Sequence, residues 1–103
     1  MFKKLRGIDL SYERQGFTRF TCLTYEEQPQ DVKDRILNLC IRCGADKYQA
    51  LFEFMTTQNS AVYVAGKHYI SESSLYNIRR KFYYAWWGQN AVTPKKLPQI
   101  GNG

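Results

Sequence analysis

The side chains with the most directed chemistry in this chain fall between Lys67 and Lys81. Ser73, Tyr76, Asn77 and Arg80 share the outward face of a helix drawn through Leu75, Ile78 and Phe82, because those apolar residues recur at spacings of three and four and take the inward face. The amide of Asn77 sets a donor beside an acceptor, the pattern that pairs bidentately with adenine. The guanidinium of Arg80 sets two donors against the two acceptors of guanine or clamps a phosphate. Lys67, Ser71, Arg79 and Lys81 add a hydroxyl and three cations placed for phosphate oxygens. The expectation is therefore base-edge contact by Ser73, Tyr76, Asn77 and Arg80, and backbone contact by Lys67, Ser71, Arg79 and Lys81.

Other reactive residues lack companions. Cys40 and Cys43 form a C-x-x-C, half of a zinc site or a redox pair, but no second half follows, and cysteines three apart on a helix are commonly small core residues. Cys22 and His68 could complete a Cys₃His set, although nothing in the spacing requires it. His68, the single histidine, has no acid or nucleophile at motif spacing. The sequence thus predicts no metal, no cofactor and no enzymatic activity.

The elements that must carry the polar face can be read from periodicity and caps. A chain of 103 residues with 44% apolar side chains supports one domain, expected over 1–88, with a basic, flexible tail over 89–103 that contains Pro94 and Pro98. The opening 28 residues include a β-favouring run, Phe17 to Tyr25, without clean alternation, and read as an extended arm with at most one strand. Val32, Ile36, Leu39, Cys40 and Cys43 then mark a helix over 31–43, closed by Gly44. Asp46 is placed to cap a second helix with the stripe Tyr48, Leu51, Phe52 and Met55. Ser60 caps a short helix from Ala61 to about Lys67, a turn follows at Lys67-His68-Tyr69, and Ser71 caps a last helix that reaches about Trp87 before Gly88. The predicted fold is mainly α, a small helical domain of about four helices behind an extended N-terminal arm.

Charge and class agree with this layout. The net charge is +6, and residues 67–103 alone hold six Lys or Arg against one acidic residue, the electrostatic footprint of a surface that meets a polyanion. No run of apolar residues is long enough to span a bilayer, so no membrane partner is expected. Met1 to Arg6 has the basic residues of an export signal, but Asp9, Tyr12 and Glu13 stand where its apolar stretch should run, and a cytoplasmic location is the expectation. Phe82-Tyr83-Tyr84-Ala85-Trp86-Trp87 is too apolar all round for one buried stripe. Either the last helix is covered on two sides, or Tyr83, Tyr84, Trp86 and Trp87 line a homodimer interface.

The segment 61–82 resembles the helix-turn-helix of bacterial and phage transcription regulators. Ala65 is the small residue at the helix crossing, Ile70 the plug under the turn, Leu75 and Ile78 the anchors of the second helix, and Val64 completes the set. Ile70-Ser71-Glu72-Ser73-Ser74-Leu75 is similar to the opening of many recognition helices. The sequence departs from that pattern at His68, usually apolar, and at Tyr69, usually glycine. More loosely, the layout resembles phage-encoded regulators of the ArpU type, related in their last helices to region 4 of sigma factors. The resemblance implies a sequence-specific regulator that binds double-stranded DNA, with RNA polymerase as a further partner. The alternative is a protein-binding module, or an inhibitor that docks on a nucleic-acid-processing partner.

Overall fold

Ser11, Ser60 and Ser71 each open a helix in the same way, with extended backbone and a hydroxyl that accepts the N–H three residues on, from Arg14, Tyr63 and Ser74. In the computed structural model, which describes residues 3–89, the helices are α1 (Tyr12–Leu23), α2 (Gln30–Gly44), α3 (Tyr48–Thr56), α4 (Ala61–His68) and α5 (Glu72–Trp86). Short 3-10 turns, Tyr25–Glu27 and Ala45–Lys47, precede α2 and α3. The described residues contain no strand, and no helix among them is long and apolar enough to cross a membrane. Beyond Gln89, the expected tail lies outside the described residues.

The mainly α class stands, but the arm is shorter than the sequence suggested, because residues 12–23 are helical. Their periodicity is hidden by inverted polarity. Gln15, Thr18 and Cys22, at spacings of three and four, are fully buried, whereas Tyr12, Phe17 and Phe20 are exposed. Tertiary packing overrides the β preference of the phenylalanines and threonines.

The stripe expected on α2 is present, with Ile36, Leu39 and Cys40 buried and Val32 and Cys43 packed against them. Gly44 is not its cap. It is the last helical residue, buried where an added Cβ would lie 3.5 Å from the Tyr48 Cβ, and the reversal falls on Ala45 at φ 51°. Nor does Asp46 cap α3, because it lies inside the 3-10 turn, and the residue before α3 makes no side-chain cap. A stronger device holds the other end of that helix. Arg19 of α1 donates to the carbonyls of Phe54, Met55 and Thr57 at 2.8–2.9 Å, a cation on the negative pole of α3.

Two apolar clusters result. The larger joins Ile8 and Leu10 of the arm, Cys22, Ile36, Leu39, Cys40, Leu51, Met55 and the second half of α5. The smaller joins Ala50 and Phe54 of α3 to Ala61, Val64 and Ala65 of α4 and Leu75 of α5, and Ile78 packs against both. Thus α5 is held by the body at its C-terminal half and by α3 and α4 at its N-terminal half. Its close is sharp. The Gly88 N–H reaches Ala85 C=O at 3.0 Å and the Gln89 N–H reaches Tyr84 C=O at 2.8 Å, with Gly88 left-handed at φ 72°.

Candidate nucleic-acid interface

The connection from α4 to α5 is fixed from three directions. Tyr69 takes the left-handed conformation (φ 55°, ψ 48°), which lets the Ile70 N–H return to Ala65 C=O at 3.0 Å. So Tyr69 adopts the conformation for which glycine is favoured, with its side chain 89% exposed. Lys47 donates to the carbonyls of His68 and Tyr69 at 3.2 and 3.3 Å, a positive charge on the end of α4. Beneath the turn, Ile70 packs with Val64, Ala65, Leu75 and Ile78, which brings together the whole apolar set expected of this segment.

His68 has a polar partner in place of an apolar contact. The Glu53 carboxylate of α3 accepts from His68 Nε2 at 2.9 Å, from Asn59 Nδ2 at 2.8 Å and from Lys67 Nζ at 3.1 Å. These donors, His68 first, hold its carboxyl down at about 2. The contact ties α3 to the last turn of α4. It also engages the ammonium of Lys67, although half of that side chain remains in solvent.

The outward face of α5 presents Ser73, Tyr76, Asn77, Arg80 and Lys81, all exposed. Ser71 is exposed too, but its hydroxyl accepts the Ser74 N–H at 3.1 Å and lies 2.9 Å from the Ser74 hydroxyl, so capping occupies the group expected on phosphate. Arg79 departs furthest from expectation. Its guanidinium is wedged 5.1 Å from the Phe54 ring centre and 4.9 Å from that of Tyr76, half-buried, with Nε lacking a partner. Helical position alone assigned it to the backbone set, and the aromatic rings on either side hold it in.

The aromatic end of α5 is covered on two sides, the first of the two arrangements its sequence left open. Tyr83, Tyr84 and Trp86 are buried. Arg35 of α2 stacks 4.1 Å over Trp86 and donates to its carbonyl. The Trp87 indole donates to Thr18 Oγ1 at 2.9 Å beneath Arg14, and the Tyr84 hydroxyl accepts the Asp9 N–H at 2.6 Å. Cys22 and Cys40 lie in the same core. Burial pushes the Cys22 thiol up to about 12 and those of Cys40 and Cys43 upward as well, which keeps them protonated. Among the described residues no three His, Cys, Asp or Glu side chains are grouped to hold a metal ion.

One part of this surface had no sequence signal beyond a few basic residues. Lys3, Lys4 and Arg6 of the arm stand across from Tyr76, Asn77 and Arg80. The arm is held there by Gln15, fully buried, whose Oε1 accepts the Leu5 N–H at 2.7 Å and whose Nε2 donates to the carbonyls of Ile8 and Leu10, each at 3.0 Å. The chain matches no protein-family model, no curated protein and no solved structure.

Proposed function

We propose that the chain is a sequence-specific double-stranded DNA-binding protein that acts as a transcription regulator, with α5 as its recognition helix. The observation that carries this reading is the pairing of a rigid turn with a polar helix face. Ala65, Ile70, Leu75 and Ile78 lock α4 against α5, and the first turns of α5 offer Ser73, Tyr76 and Asn77 to solvent. A helix enters the major groove with its N-terminal residues against the base edges, so short polar side chains there and cations further along suit that approach. Asn77 has the donor and acceptor pair that matches adenine and Arg80 the paired donors that match guanine, Ser73 and Tyr76 flank them, and Lys81 meets the backbone.

Val62 and Tyr63 of α4 and Tyr69 at its C-terminal cap are exposed and suit contact with a protein, for which RNA polymerase is the partner we propose. Substitution tests the assignment. Asn77→Ala and Ser73→Ala should each weaken binding to a preferred duplex by about 1–3 kcal/mol and leave binding to a scrambled duplex nearly unchanged. Equal losses on both duplexes would remove these residues from base reading.

A further inference from the structure

The arm and α5 enclose a cleft of about 750 Å³, with Lys3, Lys4 and Arg6 on one wall and Tyr76, Asn77 and Arg80 on the other. We propose that this cleft holds the sugar–phosphate strand of the DNA duplex whose bases α5 reads, with the arm cations and Arg80 on successive phosphates. The proposal rests on the DNA-binding reading and adds to it a second binding element, remote in sequence from α5.

Three observations point to a phosphate strand. First, every ionisable side chain that lines the cleft apart from Tyr76 is a cation, Arg79 included, and cations facing one another across a solvent gap repel until a polyanion lies between them. The cleft is also far larger than a lone phosphate needs and falls among the volumes, roughly 300–1,000 Å³, that hold extended organic ligands. Second, the wall is built in advance. Gln15 satisfies its whole carboxamide on Leu5, Ile8 and Leu10, Tyr84 accepts from Asp9, and Ile8 and Leu10 are buried, so the arm is seated before any ligand arrives and binding need not order it. Third, Arg79 also lines the cleft, and its guanidinium, held between the Phe54 and Tyr76 rings, adds a fixed positive charge to the α5 wall. Asn77 belongs both to the cleft wall and to the exposed face of α5, so a strand in the cleft runs beside the bases within its reach.

The test uses the full chain and a triple variant, Lys3→Ala with Lys4→Ala and Arg6→Ala, titrated on a preferred and a scrambled duplex at salt concentrations from about 50 to 200 mM. All three side chains are exposed, so the variant should melt like the parent. The expected result is a salt slope smaller by about two to three, affinity lower by roughly tenfold or more on both duplexes, and an unchanged ratio between them. A parental slope in the variant would overturn the cleft and leave the DNA reading intact. Loss of preference between the duplexes would assign the arm to bases and overturn the phosphate role. A parent that binds neither duplex would overturn both.

Discussion

Gln15 offers the sharpest test of how the arm is held. Its carboxamide is fully buried and makes three hydrogen bonds to backbone, one accepted from Leu5 N–H and two donated to the carbonyls of Ile8 and Leu10. Each such bond contributes about 1 kcal/mol net, so Gln15→Ala, which removes all three at once, should lower stability by about 3 kcal/mol. For a chain of this size, that loss corresponds to a fall in Tm of about 12–24 °C. Gln15→Glu is the more discriminating change, because it keeps the shape but sets a carboxylate against two carbonyl oxygens in a buried site. Its carboxyl should titrate above the ordinary range, so the variant's deficit should be largest at neutral pH and shrink on acidification, as the protonated acid recovers one donated bond. Thermal melts at several pH values, with hydrogen exchange at the Leu5 amide, read both effects. A Gln15→Glu protein as stable as the parent at pH 7, with the Leu5 amide still protected, would refute the clamp.

Ala65→Leu should overpack the crossing of α4 and α5, where Ala65 is 5% exposed, and lower stability by about 1–3 kcal/mol in a chemical melt; DNA affinity should fall only as far as the protein unfolds. Glu53 contributes stability that is present above its ordinary value of 4.5 and lost as the pH falls through about 2, so Glu53→Gln should cost about 1–3 kcal/mol at neutral pH and converge with the parent in acid. A deficit for Glu53→Gln that does not change with pH would show that the carboxylate charge is not what ties α3 to α4. Tyr69→Gly should raise stability by several tenths of a kcal/mol, because relief of left-handed strain (about 1–2 kcal/mol) exceeds the added freedom of the unfolded chain (about 0.5–1 kcal/mol). If DNA affinity drops while the melt improves, the exposed Tyr69 ring is a contact.

Local signals carried much of this architecture. Spacings of three and four sufficed for α2, and the same spacings behind a serine cap sufficed for α4 and α5, because the inward residues of all three are apolar. The resemblance to a helix-turn-helix singled out Val64, Ala65, Ile70, Leu75 and Ile78, which gather in one cluster under the turn. The reading failed where the inward residue is polar. Gln15 and Thr18 face the core of α1 because their partners are arm carbonyls, the Arg14 carbonyl and the Trp87 indole, which lie in other segments or in the helix's own backbone and leave no mark on hydropathy. The half-burial of Arg79 was hidden for the same reason, since the Phe54 ring it packs against belongs to another helix. The basic wall opposite α5 is also non-local. Leu5 meets Gln15 ten residues on, and Asp9 meets Tyr84 seventy-five residues on, separations at which periodicity carries no information.

The central claim is that α5 reads base sequence in duplex DNA. Its most direct test is selection of bound duplexes from a random or genomic pool by the purified full chain, followed by affinity measurement on the winner and on a scrambled control at physiological salt. The account predicts one recurring motif, bound about 10³-fold or more tighter than the control, with preference at one purine position lost in Asn77→Ala. Enrichment of no motif, or equal affinity for both duplexes, would contradict it.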